Sequence, residues 1–232
     1  MADSDKDSGK SSKSDSVPPP SKGQRFLKFV FVMAALAILV LGLLAYVSFE
    51  PQGLSDIKGY REEPSPIPPG GRDLAAELRE ASKSGAALRI TEEEINNYLI
   101  RTLKFEQEGV FKGRVTPLGV WVRLNEGEAE VIIERDLMGK RRHTISMFLR
   151  PEQVEEKDGL ATTVHRGSGQ WGKVRISRGF MYLTKSSFTE LGKVYSEELD
   201  VLKKMFTNKV RITITDDYID LSAPKSARAP SN

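Results

Sequence analysis

The chain of 232 residues has no cysteine. That excludes disulfides, thiol nucleophiles, Cys-based zinc or iron–sulfur ligation and a lipid-bearing lipoprotein cysteine. A domain of roughly 150 residues can support its own core without such cross-links. Asn-x-Ser/Thr sequons are missing as well. Together the two absences favour a bacterial envelope protein over a eukaryotic secretory ectodomain. Charge of one sign is also in short supply: 35 Lys and Arg face 32 Asp and Glu. A nearly neutral domain has no concentrated basic stripe for a phosphate backbone, so nucleic acid is not an expected partner. GxSxG, HExxH, P-loop and GxGxxG patterns are missing too, and no catalytic residue and no cofactor is assigned.

What the chain does have is one long apolar run. Residues 29–49 carry no charge until Glu50. A helix of that length spans about 31 Å, the thickness of a bilayer's hydrocarbon core. Lys22, Arg25 and Lys28 stand directly before it, so the positive-inside rule puts the N-terminus in the cytoplasm and the large domain outside. The run is longer than a signal-peptide core, and Ala45-Tyr46-Val47-Ser48 is a poor cleavage site. The expectation is therefore an uncleaved signal-anchor in the bacterial cytoplasmic membrane. It contains no Asp, Glu, Lys, Arg, His, Asn or Gln for a proton or ion path and no small-xxx-small pair. Its expected job is tethering.

Composition divides the rest. Residues 1–28 form a Ser/Asp/Lys tail expected to be disordered, and 223–232 form a second polar tail. Residues 50–72 hold Pro51, Pro64, Pro66, Pro68 and Pro69 and read as a semi-extended spacer. The folded, extracytoplasmic domain is expected over 73–222.

Within it, Thr91 and Glu94 make a T-x-x-E capping box, with Ile95, Tyr98, Leu99 and Leu103 on the buried side of the helix that follows. Ser187 and Glu190 suggest a second box, opening a helix with Phe188, Leu191, Tyr195, Leu199, Leu202 and Phe206 on one side. A shorter helix is expected over 73–83. Between these helices the apolar period falls to two, as strands require. A two-residue turn at Glu126-Gly127 sets Val122 opposite Val131, Val120 opposite Ile133 and Arg123 opposite Glu130. The next hairpin, turning around Gly139 and Lys140, is expected to bring Ile133 opposite Met147. Further strands are expected over 160–166 and 171–177, with Gly167-Ser168-Gly169 as the loop between them. A final hairpin should turn at Asp216-Asp217. The fold class is α+β: one N-terminal transmembrane helix, then a mainly antiparallel sheet with two or three packed helices.

These registers align Trp121, Ile132 and Phe148 on the second face of the sheet. Apolar groups on both faces imply either a covering layer or a hydrophobic groove for an acyl chain or a partner's segment. Those three residues are the candidate ligand-binding set. His143 and His165 should point to opposite faces, which rules out a shared metal ion. Arg141, Arg142 and His143 form a small basic cluster near a hairpin tip, within reach of anionic head groups.

The stretch ITEEEINNYL resembles a recurring motif of bacterial anchored envelope domains, followed there by an antiparallel sheet and a late amphipathic helix. Residues 88–221, ending in VRITITDDYIDL, resemble the YpmS-like group and related membrane-anchored families. The resemblance implies a non-enzymatic envelope protein, binding lipid or another envelope component. The alternatives are an envelope hydrolase using acids from separate strands and a structural subunit of a membrane complex.

Overall fold

The computed structural model describes residues 22–62, 71–103, 113–156, 159–177, 185–207 and 210–222. The N-terminal tail before Lys22, the Pro-rich residues 63–70 and the tail from Ala223 lie outside the described residues. The chain divides into two compact units, Met1–Leu43 and Leu44–Asn232. The first is mostly the apolar helix α1, which runs over Lys22–Ser48. Its stretch Phe26–Ser48 has a mean hydropathy of 2.8 and is unburied by the rest of the chain. A helix apolar all round and uncovered has the length and character of a membrane anchor or a signal sequence.

The second unit is α+β. Its helices are α2 (Leu74–Ser84), α3 (Glu92–Thr102), α4 (Lys185–Val194) and α5 (Ser196–Thr207). Its strands are β1 (Leu88–Thr91), β2 (Val115–Asn125), β3 (Glu128–Leu137), β4 (Arg141–Glu156), β5 (Gly159–Trp171), β6 (Val174–Ile176), β7 (Arg211–Ile214) and β8 (Tyr218–Ser222). They form a five-stranded meander, β2-β3-β4-β5-β6, and a three-stranded sheet ordered β1-β8-β7. All pairings are antiparallel. Sequence neighbours joined by short turns pair locally, which is why the large sheet is a simple meander.

The capping box at Thr91 and Glu94 is present in both directions, and Asp73 caps α2 through the Ala76 backbone N–H. The β2–β3 register is the expected one, with Val122 opposite Val131, Val120 opposite Ile133 and Arg123 opposite Glu130. The β3–β4 register differs by two residues: Ile133 faces Ile145, and Leu137 pairs with Arg141. The loop is odd, as expected, but consists of Met138, Gly139 and Lys140, with Met138 and Gly139 both at positive φ. Placing glycine at the loop's centre sets the tighter register. Gly167 and Ser168 are not a loop either. They form a bulge inside β5, where the pairing slips between Met147 and Leu149. Trp171 then ends β5, and the turn falls on Gly172 and Lys173. The helix expected to start at Ser187 starts at Lys185, so buried Ser187 lies inside its first turn. It divides at Tyr195, whose ring reaches Tyr98 and whose hydroxyl meets Thr102.

Among the described residues four apolar clusters organise the domain, and the two largest lie between helices and sheets. Leu74, Leu78, Leu88, Ile90, Met205 and Leu221 join α2 and α5 to the small sheet. Val120, Ile133 and Ile145 on the first face of the large sheet meet Leu191 and Tyr195, with Tyr98, Leu99 and Phe188 around them.

Candidate functional site

The second face of the large sheet carries the residues singled out above. Trp121 pairs with Ile132, but Ile132 pairs with Ser146; Phe148 lies two residues further along, opposite Glu130. The row is therefore Trp121–Ile132–Ser146. The structure brings two of the three predicted residues together and leaves Phe148 apart, beneath the Arg175 guanidinium at 5.0 Å. The reason is the tighter β3–β4 loop.

The row is not open. Trp121 and Ile132 are 5% and 0% exposed. They are covered by Leu54, Ile57 and Tyr60, with Ile100 alongside. The Tyr60 ring meets Trp121 edge-on at 4.8 Å, a favoured aromatic geometry. These covering residues belong to the stretch expected to be a spacer. Its first part, 52–60, is instead folded onto the sheet, and no open groove runs along Trp121 and Ile132. One shallow depression of about 250 Å³ lies elsewhere, beside Ala81, Met205 and Val210.

An irregular segment leaves its peptide groups unpaired unless side chains meet them. Here they do. The Gln52 backbone N–H donates to Thr144 Oγ1 (2.9 Å), and its side-chain amide donates to Ser146 Oγ (3.2 Å). Arg123 donates to the Gly53 carbonyl (2.7 Å), to Asp56 (2.9 Å) and to Glu130 (2.8 Å). Lys58 donates its backbone N–H to Glu92 (2.7 Å), and its carbonyl accepts from Asn96 (2.9 Å). The Lys58 ammonium pairs with Asp217. Glu92 and Asn96, four apart on α3, also bind the outer edge of β2. Glu92 accepts from Leu124 N–H (2.6 Å), while Asn96 exchanges two hydrogen bonds with Val122 (2.7 and 2.8 Å). One turn of helix thus holds both the strand edge and the segment lying on it.

Just upstream, the last residues of α1 meet the other end of the sheet. Arg135 Nε donates to His143 Nδ1 (3.2 Å). This leaves Nε2 as the protonated ring nitrogen, 3.0 Å from the Ser48 carbonyl. His143 thereby serves a carbonyl that the helix end leaves without an intrahelical partner. Burial, reinforced by the Arg135 charge, lowers the His143 pKa to about 4. The imidazole is neutral, as both hydrogen bonds require. Arg135 is 4% exposed, and burial lowers its pKa to about 10. Among the described residues no carboxylate lies within ion-pair distance of it. Its one recorded side-chain hydrogen bond among the described residues is the one to His143. Phe49 and Trp171 flank the imidazole at 6.1 and 6.0 Å, and Glu50 pairs with Lys173. Gly172 completes the junction. It holds φ +55°, and a Cβ there would stand 2.1 Å from the Ser48 carbonyl oxygen. Only glycine allows that approach.

His143 and His165 face opposite sides, as expected. His165 is exposed and pairs with Glu152 (2.6 Å). Among the described residues no group of three or more His, Asp or Glu is placed to hold a metal ion. The chain matches no protein-family model and no curated protein. Sequence reasoning missed residues 52–60 and the Arg135–His143–Ser48 chain. Leu54, Ile57 and Tyr60, three apart in a supposed spacer, were the available signal for the first.

Proposed function

We propose that the chain is a non-enzymatic, single-pass membrane protein of the bacterial cell envelope, with its N-terminus in the cytoplasm. Its α+β domain is held directly at the bilayer surface, where it binds or scaffolds another envelope component. The observation that carries this reading is the absence of slack after the apolar helix. Ser48, Glu50, Gln52, Leu54 and Ile57 are each fixed to the domain within ten residues of the helix end. A cleaved leader has no need to be wired into the fold it leaves; an anchor that must set a domain's height does. The resemblance of ITEEEINNYL to anchored envelope domains points the same way. An acyl chain along Trp121 and Ile132 would have to displace the chain's own Leu54 and Ile57, so the component bound is sought elsewhere on the domain.

The test is fractionation of cells carrying an N-terminal epitope. The full-length chain should stay in carbonate-washed membranes, and protease added to spheroplasts should digest the domain while sparing the epitope. A soluble domain starting near Ser48 would make the helix a signal sequence and end this reading.

A further inference from the structure

The two hairpin tips at opposite ends of β3 differ in chemistry. Strand β3 has ten residues, so the tips stand about 30 Å apart. The β2–β3 tip is acidic: the Glu126 backbone N–H donates to the Asp216 carboxylate (2.9 Å), and Asp217, paired with Lys58, lies beside it in the β7–β8 turn. The β3–β4 tip is basic and apolar. Met138 sits at its apex, 68% exposed and at φ 58°. Exposed Lys140 and Arg141 follow, and exposed Arg114 is tied to the tip by its carbonyl, which accepts from Met138 N–H (2.8 Å). Three carboxylates stand near, and Arg142 engages one of them, Glu62, at 4.0 Å. Glu134 is engaged by Arg142 at 3.6 Å, and Asp136 accepts from the Arg141 backbone N–H at 3.2 Å. Among the described residues Arg114, Lys140 and Arg141 have no ion-pair partner, so three such cations belong to the tip that carries exposed Met138.

The position of this tip along the chain gives it a partner. His143, two residues beyond Arg141, holds the carbonyl of Ser48, the last residue of the apolar helix. Two strand residues cover about 7 Å. A helix that spans the bilayer ends at the edge of the hydrocarbon, and the headgroup zone beyond it is about 5–8 Å deep. Lys and Arg stems extend several ångströms further. We propose that Lys140, Arg141 and Arg114, at the tip that carries Met138, rest on anionic phospholipid headgroups of the leaflet from which the domain emerges. This inference rests on the reading of α1 as an anchor. Met138 meets the acyl boundary while the cations meet phosphate, the arrangement of an interfacial contact. The acidic tip at the far end is repelled by the same surface, so the sheet is polarised along β3 with its basic end towards the lipid.

The cysteine-free chain makes the test direct. Met138→Cys and, at the far tip, Asn125→Cys are each labelled with a thiol-reactive fluorophore in the full-length chain. The labelled chains are reconstituted into nanodiscs of phosphatidylcholine, with or without about a third phosphatidylglycerol. Headgroup-spin-labelled phosphatidylcholine is the quencher. Quenching at Met138→Cys should exceed that at Asn125→Cys and should rise with phosphatidylglycerol. Each basic residue at an anionic surface favours contact about fivefold, so Lys140→Glu with Arg141→Glu should return it to the far-tip level. Lys140→Gln with Arg141→Gln should fall between, and Trp fluorescence checks that the fold is kept. Equal quenching at the two tips, or no response to phosphatidylglycerol and to either pair, overturns the proposal while the anchor stands. A chain that elutes apart from the discs overturns the anchor reading and this one with it.

Discussion

On the first face of the five-stranded sheet, Val120, Ile133 and Ile145 are covered by apolar side chains of α3, α4 and Tyr195. On the second, Trp121 and Ile132 are covered by residues 52–60, which form neither helix nor strand. A helix arrives with its backbone hydrogen bonds already made, so its cover can be purely apolar. An irregular segment arrives with bare peptide groups, and the surface beneath must supply partners. That accounts for the polar residues buried around the second face: Glu92, Asn96, Glu130, Thr144 and Ser146. Without the covering segment they read as a ligand site; with it, they are the fittings of a lid that the chain provides for itself.

The comparison breaks most readily at the isoleucines. Ile132→Ala and Ile145→Ala, measured by urea unfolding of the full chain in detergent micelles, should each cost about 4 kcal/mol, since both side chains are fully enclosed. A loss below about 1 kcal/mol at Ile132 alone would mean that the second face is open in solution. Asn96→Ala comes next. It strands the Val122 peptide and the Lys58 carbonyl, and about 3 kcal/mol is expected, with faster hydrogen exchange across 52–60. A change confined to α3 would disconnect Asn96 from the lid. The most gradual effect, spread over more than two pH units, is the response at His143, on the helix-covered face. Its folded pKa, about 4, lies below the unfolded value of 6.5. Between those values the unfolded chain binds a proton that the folded chain does not. The contribution is therefore complete above pH 6.5, declines as pH drops through the window and is gone near pH 4. The loss over the whole window should be about 3 kcal/mol, a little over 1 kcal/mol for each pH unit, and His143→Gln should flatten that part of the stability profile. An unchanged slope in the variant would assign the titration to another group.

How much was legible follows from the same contrast. Alternation and a two-residue turn specify register, so Arg123 opposite Glu130 could be read off the sequence. The capping box at Thr91 could be read because its partners are three residues apart. The β3–β4 register could not, because an odd loop around Gly139 and Lys140 admits two centres and only positive φ at Met138 and Gly139 chooses between them. The cover over Trp121 was hidden by composition. Pro51, Gly53 and Gly59 give the segment the look of a spacer, while its fixation depends on Asn96 and Arg123, far away in sequence. The Arg135–His143 pair was hidden for a related reason: its partner is a helix-end carbonyl, which has no sequence signature.

The clasp of Glu92 and Asn96 on β2 has one more consequence. An edge strand offers its free N–H and C=O groups to any passing strand. For copies of a chain confined to one plane, neighbours meet far more often than in free solution, and edge-to-edge zipping becomes the characteristic hazard. With the Val122 N–H and C=O and the Leu124 N–H already taken by α3, this stretch of the edge is closed to such pairing. Crowding can press the domains together at Val122 and Leu124 without knitting a neighbour's strand onto those residues.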